Sequence, residues 1–207
     1  MSALAARGIR KSFGRRKVLA GLDLDVTAGE LVAVVGENGS GKTTLLRVLA
    51  GDLRADAGRV ACSGRPGYCP QTVVLDDALT VDQHVRYFQA AYGISSPRRA
   101  VQLIERLGYA TCRGQRAGTL SGGTKQKLSL TLALMHDPPV LLLDEPYQGF
   151  DWQTYLAFWE LTGELRARGT ATVVISHLVF EQERFDRVCQ LRDGQIHEEP
   201  SRHAPAT

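Results

Sequence analysis

The sequence lacks the features that would place the chain across a membrane, in an oxidising compartment or on a nucleic acid. No run of roughly 18 apolar residues is present, and the best stretch, Leu128 to Leu143, is broken by polar residues and two prolines, so no membrane-spanning helix is predicted. The four cysteines are widely spaced without a Cys-x-x-Cys pair, which indicates reduced structural thiols rather than a zinc or redox site. The net charge of +3 is too small to indicate a nucleic acid partner.

The composition is that of an ordinary globular protein. The chain has 207 residues, of which 43% are hydrophobic and 23% charged, enough apolar material for a sizeable core. The basic residues near the N-terminus precede no apolar stretch, so no secretory signal is expected. We therefore expect one domain over residues 1–207, with a tail over 196–207 that is frayed from Pro200 to Thr207.

The first part of the chain predicts the start of a parallel α/β unit. Leu22, Leu24 and Val26 alternate with acidic residues, as in a half-buried strand. Glu30 to Val35 is a short apolar run typical of a strand that is buried on both faces. It leads into a glycine-rich loop and then into a predicted helix over Thr43 to Leu49.

The middle of the chain has a different pattern. Thr80 begins a predicted helix with a capping box, because Gln83 stands three residues later. Ser96 and Pro97 begin a second helix, with the proline at its first position. Apolar residues recur at helical spacing in both segments, so residues 72–115 are predicted to form a helical insertion between two α/β halves.

Beyond Gly118 the α/β pattern resumes. The predicted elements are a helix over 123–136, a strand over 140–143, a helix over 152–168, a strand over 171–175, and a hairpin whose strands, 188–192 and 195–198, flank Asp193-Gly194. The predicted fold class is therefore α/β, a parallel-sheet core with a small antiparallel β-subdomain and the helical insertion.

The segment from Gly36 to Thr43 matches the phosphate-binding pattern G-x-x-x-x-G-K-[ST]. Its glycines let successive N–H groups point at phosphate oxygens, and the helix that follows directs its positive end at the same anion. Lys42 is predicted to reach the β- and γ-phosphates and the Thr43 hydroxyl to bind Mg²⁺. A chance glycine turn is the alternative, but the strand before and the helix after are the context that the motif requires.

An apolar strand ends in two carboxylates, Asp144 and Glu145. At this position Asp144 can hold Mg²⁺, and Glu145 is placed to polarise an attacking water. Taken alone, the pair would be interpreted as an acidic turn after a core strand. The phosphate loop upstream favours the catalytic interpretation.

A second glycine-rich segment, Ser121-Gly122-Gly123, opens a helix and predicts a second anion-binding helix end. One nucleotide does not need two such ends in one small domain. From about Phe13 to Gly194, in motif order and spacing, the chain resembles the nucleotide-binding subunit of an ATP-binding cassette (ABC) transporter.

The resemblance implies roles for further residues. Phe13 corresponds to the aromatic residue that stacks on adenine, with a core phenylalanine as the alternative. Gln71 corresponds to the glutamine that contacts Mg²⁺ and senses the γ-phosphate, His177 to the switch histidine, and Asp151 to the loop that crosses the dimer interface. The implied ATP-binding residues are Phe13, Gly36, Glu37, Asn38, Gly39, Ser40, Gly41, Lys42, Thr43, Thr44, Ser121, Gly122, Gly123 and Asp151; the catalytic ones are Lys42, Gln71, Glu145 and His177; and the Mg²⁺ ligands are Thr43, Gln71 and Asp144.

Three features depart from the family pattern. Thr124 stands where the family usually has glutamine, and Phe150 stands where it usually has leucine. Neither change removes a backbone donor or a carboxylate that the chemistry uses. The segment from Lys42 to Gln71 is short, so residues 58–64 and 66–71 leave room for only a reduced antiparallel subdomain.

The resemblance implies ATP hydrolysis coupled to transport. Two such subunits, identical or different, would pair head to tail, each ATP lying between one phosphate loop and the Ser121–Gly123 segment of the other subunit. Separate transmembrane permease subunits would hold the cytoplasmic chain on the inner face of the membrane through residues 72–92. No nucleic acid partner is expected. Three stretches resemble those of ATP-binding subunits that serve export-type permeases for drugs, lipids or polysaccharides: Leu79-Thr80-Val81, Tyr87-Phe88 and Ala91-Tyr92-Gly93.

Two alternatives stay open. The chain could be a soluble non-transport ABC ATPase that acts on another macromolecular complex, although the ribosome-acting members carry two cassettes in one chain. It could also be an inactive nucleotide binder, against which the intact Lys42, Asp144, Glu145 and His177 argue.

Overall fold

The computed structural model describes residues 2–176 and 183–198. Within these ranges the strands are β1 (Ser2–Phe13), β2 (Arg16–Thr27), β3 (Leu31–Val35), β4 (Ala57–Cys62), β5 (Gly67–Cys69), β6 (Val140–Asp144), β7 (Ala171–Ile175), β8 (Arg187–Arg192) and β9 (Gln195–Glu198). The α-helices are α1 (Lys42–Leu49), α2 (Val81–Tyr92), α3 (Arg98–Arg106), α4 (Gly122–Leu134) and α5 (Trp152–Ala167). No helix in the described ranges combines the length and the apolar character that a membrane crossing requires.

The strands form two sheets. Three of them form an antiparallel sheet in the order β2-β1-β4, and six form a second sheet in the order β5-β6-β7-β3-β8-β9. The second sheet is parallel except at its edge, where β9 pairs antiparallel with β8. Asp193 and Gly194 in the β8–β9 turn have φ of 52° and 74°, the left-handed conformation that a tight two-residue hairpin needs. The predicted α/β class and the hairpin are thus confirmed.

The parallel sheet separates two hydrophobic cores. Successive side chains of β6 point to opposite faces, so Leu141 and Leu143 pack with the helical insertion, α4 and α5. Val140 and Leu142 pack with α1 and the antiparallel sheet. Every residue of β6 and β7 is buried, which explains why both read as continuous apolar runs.

The helical insertion is confirmed, with small shifts at its helix ends. Thr80 and Gln83 form the predicted capping box. Helix α3 begins at Arg98, one residue later than predicted, because Pro97 has a non-helical ψ of 4° and occupies the cap position. Helix α4 runs from Gly122 to Leu134 rather than over 123–136, and the chain then turns at Asp137, whose φ is 48°.

Two other expectations need correction. Residues 66–71 were expected in the antiparallel part, but β5 lies within this segment and joins the parallel sheet beside β6; the antiparallel sheet takes β4 instead. The expected tail over 196–207 begins too early, because residues 196–198 pair with β8 as part of β9. Residues 199–207 and His177 lie outside the described residues.

Candidate active site

The phosphate-loop sequence joins β3 to α1, as its motif requires. Gly41, which precedes the first residue of α1, has φ of 107°, and a Cβ there would lie 2.7 Å from Val18 Cγ1. A Cβ on Gly36 would lie 2.6 Å from the carbonyl oxygen of Leu191. Both positions therefore need glycine. No side chain caps the first turn of α1, which leaves backbone N–H groups available to an anion.

Lys42 lies along the loop. Its Nζ donates to the carbonyl oxygens of Gly36, at 2.7 Å, and Glu37, at 3.0 Å. The residue is only 8% exposed, so the loop carbonyls take the place of water around the ammonium group. A phosphate group, which is a stronger acceptor than a neutral carbonyl, can take over these hydrogen bonds.

A cavity of about 460 Å³ opens beside the loop. The ends of several elements meet in it: the β1–β2 turn, the phosphate loop, the residues after β5 and the carboxyl end of β6. Its lining consists of Phe13, Arg16, Val18, Asn38, Gly39, Gly41, Lys42, Thr43, Thr44, Gln71, Asp144 and Glu145. The volume and the polar lining suit a nucleotide-sized ligand.

Phe13 lies at one wall of this cavity and not in the core. The side chain is 51% exposed, which excludes the core interpretation. Lys11 Nζ lies 5.6 Å from the ring centroid, and Arg16 donates to the carbonyl oxygen of Gly39 at 2.9 Å, tying the β1–β2 turn to the phosphate loop. The ring therefore offers an exposed aromatic surface next to the phosphate-binding backbone.

Asp144 has the burial and the chemistry of a metal ligand. It is 1% exposed, and its Oδ2 has no hydrogen-bond partner among the described residues. Burial raises the pKa of the Asp144 carboxyl, an effect opposed by a hydrogen bond from Thr43 and by the charge of Lys42. A carboxylate and a hydroxyl are hard oxygen ligands. The pair Thr43 and Asp144 thus fits Mg²⁺, while Gln71 lies exposed on the same cavity lining.

Glu145 is held at the end of β6 in a strained backbone conformation. Its φ is 51°, unusual for a residue with a Cβ. Its N–H donates to the carbonyl oxygen of Ile175 at 3.1 Å, and Gln148 Nε2 donates to Glu145 Oε2 at 2.9 Å. The side chain is 6% exposed and lines the cavity. The surrounding hydrogen bonds thus hold the Glu145 carboxylate at the edge of the cavity.

The Ser121–Gly123 segment forms the N-terminus of α4. Ser121 caps the helix, accepting from the N–H of Thr124 at 3.2 Å. Gly123 packs so closely on Gly149 that a Cβ there would lie 2.3 Å from the Gly149 carbonyl oxygen. The segment is absent from the cavity lining formed by the described residues. Ser121 and Gly122 are exposed, and neither of them lines the cavity beside this chain's own phosphate loop.

Asp151 caps the next helix, α5. It accepts from the N–H and the hydroxyl of Thr154 at 2.8 and 3.0 Å, and these bonds hold its pKa at about 2. Lys127 Nζ lies 3.4 Å from Asp151 Oδ2. Asp151 is thus tied to α4 and, like Ser121, does not line the cavity.

Most of the residues singled out from the sequence meet at the cavity. Those lining it are Phe13, Asn38, Gly39, Gly41, Lys42, Thr43, Thr44, Gln71, Asp144 and Glu145. Gly36, Glu37 and Ser40 belong to the same loop without appearing in the lining. Sequence reasoning missed Arg16 and Val18. Both lie at the start of β2, within five residues of Phe13, and this closeness in sequence was the available signal.

Comparison with known proteins agrees with this geometry. The profile of a family described as "ABC transporter" matches residues 19–148. Nod factor export ATP-binding protein I of Burkholderia lata is 36% identical over 96% of this chain and 70% of its own length. Aliphatic sulfonates import ATP-binding protein SsuB of Pseudomonas putida is also 36% identical, over 93% of this chain and 74% of its own length.

Solved structures show the same fold. The ATP-binding subunit of an ABC transporter superimposes with a TM-score of 0.90 at 26% identity, covering 96% of this chain and 90% of that one. The dimeric bacterial ABC transporter cassette MJ0796 has a TM-score of 0.87 at 23% identity, covering 97% and 100%.

Proposed function

The chain belongs to the ABC transporter family of ATP-binding proteins, and we propose that within this family it powers export through a separate membrane subunit. The observation that carries the proposal is the convergence of Lys42, Asp144 and Glu145 in one cavity beside the phosphate loop. Export is supported by three Nod factor export proteins, 35–36% identical over 96–98% of the chain. A sulfonate importer of equal identity covers 93%, so direction needs its own test.

The cavity supports hydrolysis of ATP with the phosphates on the loop. The N–H groups at the start of α1 and the Lys42 ammonium would hold the β- and γ-phosphates, and Phe13 would stack on the adenine. Thr43 and Asp144, with Gln71, would hold Mg²⁺, which neutralises developing phosphate charge. Glu145 would accept the proton of the attacking water, which its fixed position favours.

Exchange of Glu145 for glutamine tests the catalytic assignment. Glu145→Gln keeps the shape of the side chain but cannot take the proton, so hydrolysis should fall by about two orders of magnitude or more while ATP binding persists. Lys42→Ala should instead weaken binding itself. Phosphate release and binding of a fluorescent ATP analogue separate the two effects. Turnover by Glu145→Gln near the wild-type rate would refute the assignment.

The position of Ser121, exposed and outside the cavity lining, supports a second proposal, that each ATP is shared between two cassettes. Because Ser121 and the cavity lie apart within one chain, a second subunit would have to supply the second anion-binding helix end. The Glu145→Gln chain should therefore dimerise with ATP and dissociate with ADP, which lacks the bridging γ-phosphate. Light scattering that gives the same mass with ATP and with ADP would contradict the shared site. If the partner cassette is a different protein, the two must be co-expressed for this measurement.

The contact with the membrane subunit is proposed for the segment after Gln71 and the neighbouring helix α2. Val74 is 87% and Tyr87 65% exposed, whereas Leu75 and Phe88 pack on the core. The N–H of Asp76 donates to His84 Nε2 at 3.2 Å, which holds this segment against α2. Exposed apolar side chains joined to a cavity-lining residue suit a surface that reports nucleotide occupancy.

Charge substitutions test this surface. Val74→Glu and Tyr87→Glu should leave folding and ATP binding intact but abolish co-purification with the permease. Leu156→Glu, on the exposed side of α5 at 40% exposure, is the matched control and should leave co-purification unchanged. Cross-links from position 74 to soluble proteins alone would favour the soluble ABC ATPase.

The direction of transport can be tested in cells. Deletion of the gene should leave uptake of aliphatic sulfonates unchanged if the chain serves an exporter. Loss of uptake that the wild-type gene restores and Glu145→Gln does not would identify an importer and refute export.

A further inference from the structure

Two hydroxyl groups share hydrogen bonds at the start of α4. Ser121 Oγ accepts from the N–H of Thr124 at 3.2 Å, and Ser121 Oγ and Thr124 Oγ1 are 2.9 Å apart. Ser121 is exposed and Thr124 half-buried. The contact between the two hydroxyls depends on the residue that replaces the usual glutamine of the family pattern, so it is particular to this chain.

The proton count of this pair limits what it can offer to a ligand. A hydroxyl carries one proton and two lone pairs. The N–H of Thr124 takes one lone pair of Ser121, and the mutual bond takes one of the two hydroxyl protons. One hydroxyl proton is left for a third group. It belongs to Ser121 when Thr124 donates and to Thr124 when Ser121 donates.

We propose that Thr124 is a positioning residue that directs the hydroxyl proton of Ser121 toward a phosphate oxygen of the ATP held by the second cassette. The proposal rests on the shared site proposed above. When Thr124 donates to Ser121, both serine lone pairs are occupied and the proton points outward. An anionic acceptor favours the arrangement in which Thr124 donates to Ser121 and Ser121 donates to the anion, because consecutive hydrogen bonds polarise and strengthen one another.

Threonine suits this task better than a long side chain would. Its hydroxyl is on Cβ, and β-branching restricts χ1 in a helix to few rotamers. The hydroxyl of Thr124 thus reaches Ser121 with one torsion fixed. Without it, the Ser121 proton can occupy either of the two positions that the N–H of residue 124 leaves open, and it is no longer directed at the phosphate.

ATP-driven dimerisation of the Glu145→Gln chain tests the proposal. Thr124→Val keeps the shape and removes the hydroxyl at both shared sites of the dimer. The dimer dissociation constant in saturating ATP should therefore rise about 25-fold, which is about fivefold, the effect of losing one hydrogen bond, at each site. Thr124→Ser should rescue dimerisation. Melting temperature and binding of a fluorescent ATP analogue to the dilute monomer should match between the two variants, because neither reports the shared phosphate.

A double-mutant cycle separates positioning from a merely structural role. If Thr124 acts through Ser121, the double variant Ser121→Ala/Thr124→Val should dimerise as weakly as Ser121→Ala alone. Additive losses, or no effect of Thr124→Val, would overturn the proposal while leaving the shared site standing. If Ser121→Ala itself dimerised like its parent, the shared site would be wrong.

Discussion

A single methyl group on Gly123 tests whether the start of α4 and the loop after Glu145 form one packed unit. A Cβ at this position would lie 2.3 Å from the carbonyl oxygen of Gly149 and 3.2 Å from its carbonyl carbon. The neighbouring Gly122 provides a matched control, because a Cβ there would meet nothing within 4 Å. Both glycines occupy the first turn of the same helix.

The expected magnitude follows from this difference. To restore van der Waals contact at about 3.4 Å, the two backbones must separate by roughly 1 Å, and such overpacking costs about 1–3 kcal/mol. Alanine is favoured over glycine in a helix by up to about 1 kcal/mol, a gain that both variants share. Gly123→Ala should therefore be less stable than Gly122→Ala by about 1–3 kcal/mol.

Urea unfolding of the nucleotide-free chain, followed by circular dichroism, measures this difference directly. The shared helix-propensity gain cancels when the two alanine variants are compared with each other. Equal midpoints with equal slopes would refute the reasoning, since they would mean that the Gly123–Gly149 contact relaxes without cost.

Three further substitutions are expected to separate binding, catalysis and stability. Asp144→Asn should lower hydrolysis by about two orders of magnitude yet stabilise the nucleotide-free fold at neutral pH. Burial raises the pKa of the Asp144 carboxyl, so ionisation of this group opposes folding, and the asparagine removes that cost. The stability gained by the substitution should vanish as the pH falls below the ordinary aspartate pKa. Asp151→Ala should cost about 1 kcal/mol through loss of the α5 cap, with Asp151→Asn as the capping control. Because the pKa of Asp151 is lowered to about 2, that contribution should be present above pH 4 and fade toward pH 2 in acid unfolding. Phe13→Ala should weaken ATP binding about tenfold in equilibrium titration, and Phe13→Trp should retain it.

Much of the fold was predictable because both faces of its central strands are covered. Continuous burial requires a continuous apolar run, so the bounds of β7 were predicted to the residue and those of β6 to within one. Local hydrogen bonding also specifies some ends, as in the capping box of Thr80 and Gln83. Such features are written in neighbouring residues and need no tertiary information.

The remaining features depend on contacts between distant segments. Strand β5 has three residues, too few for any periodicity, and its place beside β6 depends on the packing of α4 behind it. A Cβ on Gly67 would lie 2.2 Å from the carbonyl oxygen of Ala133. In the same way, nothing in the motif that contains Gly123 reveals that Gly149 approaches it. Motif residues could thus be located in the sequence, but their partners could not.

Contacts between distant segments connect the cavity with helix α4. Glu145 and Asp151 are the ends of one short segment: the first lines the cavity, and the second contacts Lys127 on α4. The middle of the segment is also anchored, since the Tyr147 hydroxyl donates to Ser176 Oγ at 2.6 Å. A displacement of α4 should therefore be transmitted through this anchored segment to Glu145. For this reason Gly123→Ala should reduce hydrolysis in the native chain even where it leaves ATP binding to the phosphate loop unchanged.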